Sequence, residues 1–242
     1  MLSLFKKELA VFFSSLTGYI VIIVFLTGNG IFMWFFPGEF NVLDAGYADL
    51  NTLFFVAPWI FLFLVPAVCM RLFSDEKRTG TIELLFTRPI SEMQIIFAKY
   101  LAGVTLVLFS IVPTFIYFIT VYLYGSPTGN IDTGATWGSY IGLFFLAAVY
   151  VSTGVFASAL TDNQIIAFLL SILLSFFLYI GFEGISSFEF WGKLGVFIEL
   201  LGINAHYKSI SRGVIDSRDI VYFVSVVFFF LFSTKLVLDN RK

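Results

Sequence analysis

The chain has 242 residues, a formal charge of −2 from 14 Lys+Arg against 16 Asp+Glu, and 59% apolar but only 12% charged residues. A soluble domain carries about 25% charged residues and cannot hide this much hydrocarbon, while a disordered chain is apolar-poor, so both classes are excluded. One Cys and one His exclude a disulfide framework and a Cys/His zinc cluster, and the small mixed charge points away from nucleic acid, which leaves an integral membrane protein.

Residues 2–17 place Ser3, Lys7, Ala10 and Ser14 on one helical face and Phe5, Leu9, Phe12 and Leu16 roughly opposite. The pattern predicts an amphipathic helix lying in the lipid interface, with Lys6 and Lys7 anchored on anionic headgroups. A secretory leader is the competing reading, opposed by Glu8, the missing small-x-small cleavage site and the spans that follow. Gly18 then lets the chain turn into the first of six spans, at about 18–36, 52–73, 98–124, 136–160, 163–181 and 218–238. Each is close to the roughly 20 residues that cross about 30 Å of hydrocarbon, and their apolar runs are continuous rather than alternating, which fits helices and not a barrel. The predicted fold is all-α, one membrane domain over 1–242.

The loop at 37–51 carries Glu39, Asp44 and Asp49 without Lys or Arg, and the connection at 125–135 has only Asp132. Segment 71–99, between them, holds Arg71, Lys77, Arg78, Arg88 and Lys99. Placing this segment and both termini in the cytoplasm puts 10 of the 14 basic residues inside, as the positive-inside rule favours. Lys193, Lys208, Arg212 and Arg218, in or beside the long 182–217 connection, violate the rule in part, though long connections weigh less in it.

Within 71–99, residues up to Arg78 extend the second helix, Thr79-Gly80-Thr81 breaks it, and Ile82–Thr87 form a short amphipathic turn with Glu83 near its N-terminus. Pro89 ends that turn, and Ser91-x-x-Gln94 is a capping box that opens the third helix. Leu84, Leu85 and Phe86 then either form a docking knob for a partner protein or pack beneath the bundle. Pro58, Pro66 and Pro113 interrupt spans two and three. Ser152, Thr153, Gly154 and Ser158 read as helix-packing contacts, and Asp162-Asn163-Gln164 as a helix cap or a second partner contact. The 182–217 connection is amphipathic, which predicts an external or re-entrant helical segment. His206 and Arg212 either meet an anionic substrate or anchor at the headgroups, and Asp216 or Ser217 caps the last helix, with Asp219 complementing its dipole.

The string Glu76-Lys77-Arg78-Thr79-Gly80-Thr81-Ile82-Glu83-Leu84-Leu85, closed by Thr87-Arg88-Pro89-Ile90-Ser91, resembles the signature of ABC-2-type transporter permeases. A second string, His206-Tyr207-x-x-Ile210-x-Arg212-Gly213-Val214-Ile215-Asp216, resembles the stretch before the sixth helix in that family. Asn41–Tyr47 and Phe54–Phe61 look most like the gliding-motility-associated permeases of Bacteroidota. The resemblance implies an exporter-type, inner-membrane permease that pairs with a second copy or a paralogous permease. It also implies a separate ABC ATPase subunit that holds ATP and Mg and is coupled through loop 74–92, with Glu76, Thr79, Gly80, Glu83, Leu85 and Pro89 carrying the contact. The 182–217 segment, with His206, Arg212 and Asp216, would cap the pore exit.

The word separate has support in the sequence. The only Gly-Lys pair, Gly192-Lys193, is followed by Leu194, so no phosphate-binding loop is present and no ATP hydrolysis is expected of this chain. A secondary transporter would carry ionisable groups in mid-membrane, and an embedded enzyme would need paired carboxylates or a His constellation; the charge-free runs supply neither. A non-transporting scaffold of a motility or secretion complex is the remaining rival.

Overall fold

The computed structural model describes residues 1–87 and 90–239, and every regular element among them is helical. Six stretches are long and apolar enough to cross a membrane: Leu16–Trp34, Asn51–Arg78, Glu92–Tyr124, Thr133–Leu160, Gln164–Ser186 and Ser217–Asp239. They match the six expected spans, with ends moved by caps and breaks that hydropathy does not register.

Helix α1 (Leu2–Ser14) precedes the first span, α2 (Leu16–Trp34). The second span is α3 (Asn51–Cys69), a turn, and α4 (Ser74–Arg78). Pro58 and Pro66 both lie inside α3 without breaking it; the break comes at the 70–73 turn, where the Met70 amide still reaches the Pro66 carbonyl at 2.9 Å. After α5 (Ile82–Phe86), α6 (Glu92–Ile111) opens on the expected capping box, in which the Gln94 amide donates to Ser91 Oγ at 3.4 Å and the Ser91 amide to Gln94 Oε1 at 3.3 Å. Pro113 falls in a tight turn, Val112–Thr114, that separates α6 from α7 (Phe115–Tyr124).

Helix α8 (Thr133–Leu160), capped by Asp132 Oδ1 on the Ala135 amide at 2.9 Å, is the post around which the others stand. Its apolar window is 78% buried, against 22% for each of the two spans that follow. Side chains of α8 serve both helix breaks. Ser158 Oγ accepts the Phe73 and Ser74 amides at 2.8 and 3.1 Å, and the Tyr140 hydroxyl donates to the Thr114 carbonyl at 3.1 Å. Backbone groups freed in a membrane bundle need such partners, because lipid offers none.

Helix α9 (Gln164–Phe176) runs through a wide turn, Phe177–Gly181, into α10 (Phe182–Ser186). The rest of the long connection is α11 (Leu194–Glu199) and α12 (Ile203–Ser211), and α13 (Ser217–Asp239) ends the fold. The expected helical character of 182–217 is therefore present. Helix α12 folds back on the bundle, with Tyr207 donating to the Phe54 carbonyl at 2.8 Å.

Of the small residues of α8 read as packing contacts, Ser152, Thr153 and Ser158 are fully buried, and Thr153 and Ser175 hydroxyls meet at 2.8 Å. A Cβ on Gly154 would stand 2.5 Å from Cys69 Cβ. Gly154→Ala should therefore destabilise the fold by roughly 1–3 kcal/mol through overpacking. The check is the detergent unfolding midpoint, with Gly184→Ala, whose added Cβ meets nothing within 4 Å, as the unaffected control.

Candidate coupling site

Of the apolar stripe of helix α1, Phe12 is buried in the bundle and Phe5 and Leu9 are half-buried against the core, so much of it packs on protein. The face turned to the bundle is Leu4, Glu8 and Phe12, while Leu16 is 77% exposed. Glu8 enters because α6 brings an ammonium to meet it. Lys99, 1% exposed, lies at 3.1 Å from Glu8 Oε1, 2.9 Å from Glu76 Oε1 on α4 and 2.7 Å from the Leu72 carbonyl. Two of its N–H donors thus find acceptors in Glu8 and the Leu72 carbonyl, Glu76 adds an ion pair, and the Phe73 ring centroid is 5.1 Å away. Lys7 lies 3.5 Å from both carboxylates, so two acids and two bases balance. Three segments far apart in sequence are pinned at one point.

The same end fixes α4 to its neighbours. Lys77 Nζ donates to the Ala159 carbonyl, Gln164 Nε2 donates to Asp75 Oδ1 at 2.9 Å, and Arg78 pairs with Asp75 at 2.8 Å. Arg71 reaches Thr17 Oγ1 at the start of α2 at 2.5 Å. Asn163 caps α9 through the Ile165 amide at 2.9 Å, so the 162–164 turn carries both a cap and a tie to α4.

Beyond this anchored base the chain turns outward. Gly80 has φ +70°, which favours glycine, and the Thr79 and Thr81 hydroxyls meet at 3.0 Å across it. In α5, Ile82 and Leu85 pack against the core while Glu83 and Leu84 are exposed, Leu84 by 66%. Leu84 and Leu85 thus divide the two readings of this stretch between them, one as knob and one as packing.

Of the residues expected to carry the contact, Thr79, Gly80 and Glu83 lie on the exposed side, Leu85 supports them from beneath, and Glu76 faces Lys99 in the interior. Pro89 lies outside the described residues. Lys6 is exposed, and Lys7, 56% exposed, stands over the two acids. Sequence reasoning names Lys99 only for topology and Glu8 only against a leader, and gives neither a role in the site, although a signal is available. The capping box at 91–94 starts the helix early enough to put Lys99 two turns inside it, and an ammonium there requires acceptors.

His206, Arg212 and Asp216 lie at the opposite end and are not brought together. His206 Nδ1 is 2.6 Å from Asp219 Oδ1, its Nε2 is 2.8 Å from the Leu200 carbonyl, and its ring stacks on Tyr222 at 3.9 Å. Arg212 is exposed and reaches Ser209 Oγ at 3.3 Å. Asp216 caps α13 by accepting the Arg218 amide at 2.9 Å, and Asp219 lies in the first turn of α13, as the dipole reading expects, while also being buried against His206. Among the described residues no group of three His, Cys, Asp or Glu side chains could hold a metal.

Residues 3–214 match the profile of a family described as ABC-2 family transporter protein. The match covers well over half of the chain, which therefore belongs to that family: it is a multi-pass membrane permease of an ABC transporter, the kind of subunit that partners an ABC ATPase. No curated protein matches the chain.

Lys99→Met should leave Glu8 and Glu76 buried with only the half-exposed Lys7 as counter-ion and destabilise the fold by about 3 kcal/mol. The triple change Glu8→Gln, Glu76→Gln and Lys99→Met should recover most of the loss, since neutral groups remain. Unfolding midpoints of single and triple variants check this; equal losses in both would show that the ion pairs do not govern this end.

Proposed function

We propose that this ABC-2 permease is the membrane half of an ATP-driven exporter, coupled to its ATPase through segment 74–92. The single observation that carries the reading is the α4–α5 hairpin: a rigid base, tied by Lys99, Lys77 and Gln164, from which Thr79, Gly80, Glu83 and Leu84 project. An exposed leucine beside an acid on a short helix is a docking element for a protein surface. A motor that presses on such a hairpin transmits force only if the base does not yield, and the buried ion pairs supply that stiffness.

Energy would enter through differential contacts of the hairpin with two nucleotide states of the partner, which holds ATP and Mg. Glu83 and Leu84 would touch that partner, Gly80 would allow the reversal, and Leu85 and Glu76 would hold the hairpin in place. The basic residues of 71–99 argue for the cytoplasmic side of an inner membrane, with both termini there, and α1, with Lys6 and Lys7, for an interfacial position. A second copy or a paralogous permease would complete the pore within one membrane domain per chain. The likeness of Asn41–Tyr47 and Phe54–Phe61 to gliding-motility permeases supports that setting.

Affinity purification in mild detergent should recover a nucleotide-hydrolysing subunit with the wild-type chain, and recovering none would overturn the reading. Glu83→Lys with Leu84→Asp should reduce that recovery at least about tenfold, as loss of a central apolar anchor and a charge does, with an unchanged unfolding midpoint. Because Cys69 is buried, Leu84→Cys offers one accessible thiol. An impermeant thiol reagent should label it only in opened cells; labelling in sealed cells would reverse the orientation.

A further inference from the structure

At the end of the bundle away from the hairpin, the 37–51 loop, the end of α7 and the first turns of α8 enclose a cleft of about 950 Å³. That is the size of a site for a small organic molecule. Its lining combines two kinds of group. Trp34, Tyr47 and Tyr124 give aromatic walls, Tyr47 and Tyr124 being 76% and 84% exposed, and Asp49 and Asp132 give carboxylates.

Among the described residues neither acid pairs with a base. Asp49 accepts from the Asn51 amide at 3.1 Å and from Asn51 Nδ2 at 2.7 Å, and Asp132 from the Ala135 amide. No Lys or Arg occurs between Met70 and Trp34 or from Tyr100 to Gly192, and Arg212, exposed beyond α12, does not line the cleft. The cleft therefore sets two carboxylates beside π faces. That pair of features selects by sign: it attracts an organic cation and repels an anion of the same shape.

We propose that this cleft binds organic cations with a bulky apolar body, the charge held by Asp49 and Asp132 and the body by Tyr47, Tyr124 and Trp34. As a site for exported cargo this rests on the transport reading; the binding itself does not, and it can be measured on the permease without its ATPase. Tetraphenylphosphonium and tetraphenylborate are matched in size and opposite in charge, and because the interfacial dipole potential makes them partition unequally into lipid, each is read against empty nanodiscs. With the full chain in phosphatidylcholine nanodiscs, tetraphenylphosphonium should bind saturably and tetraphenylborate should only partition.

Asp49→Asn with Asp132→Asn keeps an oxygen for the same amides and should weaken cation binding at least about tenfold. Tyr47→Leu, on an exposed loop, should weaken it as well, with the unfolding midpoint unchanged. Saturable binding of both ions, no saturable cation binding, or full affinity in the double-Asn variant would each overturn the proposal. Those results leave recovery of the ATPase untouched, whereas failed recovery with intact cation binding would count against the transport reading alone.

Discussion

Lys99 sets the architecture of one end of this molecule. An ammonium removed from water must regain hydrogen bonds and an opposite charge, and in a bundle of apolar helices few groups can supply them. Glu8 on α1 and the Leu72 carbonyl in the turn between α3 and α4 accept its hydrogen bonds, and Glu76 on α4 adds a second opposite charge. Satisfying one residue on α6 therefore holds the first helix across the bundle and locks the base of the exposed hairpin. The pairs are weak evidence for stability, since matched apolar residues can do as well, but they fix which segments meet. Specificity of arrangement is what the proposed coupling role of the hairpin requires.

The second organising feature is the division of labour along α8. Its 28 residues span about 42 Å, enough to reach both ends of the bundle. Near one end Ser158 receives the amides exposed where α3 gives way to α4; near the other Tyr140 satisfies the carbonyl exposed at the Pro113 break. Both breaks lie in neighbouring helices, and both are repaired by hydroxyls of the same post. A proline or a turn in a membrane helix is tolerated on that condition. Gly154 adds the close approach of α3 through Cys69, so the post is also where the backbone packing is tightest.

Much of this was legible in the sequence, for identifiable reasons. Continuous apolar runs report helices in lipid directly, and the six spans follow from them. Local chemistry was equally readable: the Ser91–Gln94 box, the Asp216 cap and the Gly80 turn depend on residues a few positions apart. What stayed hidden joins distant residues. Glu8 and Lys99 are 91 positions apart, and a helical wheel of residues 2–17 sees Glu8 only as a polar residue with no partner. His206 was read as facing headgroups or substrate because its partner, Asp219, sits on the next helix and had been assigned to the dipole. Glu76, grouped with Thr79, Gly80 and Glu83 in the motif, faces inward because α4 ends at Arg78 and only beyond it, at Gly80, does the chain turn outward. The cleft lined by Tyr47, Asp49, Tyr124 and Asp132 needed two loops to be placed side by side, which no single segment announces.

The two ends differ in charge for a reason that bears on the cleft. Loops carried across a membrane are depleted in Lys and Arg, and 37–51 and 125–135 have neither. Depletion alone explains why Asp49 and Asp132 have no basic partner among the described residues; acids weigh little in that rule and so can remain. It does not explain the aromatic residues beside them. Tyrosine and tryptophan do gather at membrane interfaces, where the ring is half in lipid, but there they stand singly around the rim. In this cleft Trp34, Tyr47 and Tyr124 come from three separate segments and line one concave volume with the two acids. An interfacial belt has no need of that convergence, whereas a site that holds a charged apolar body does.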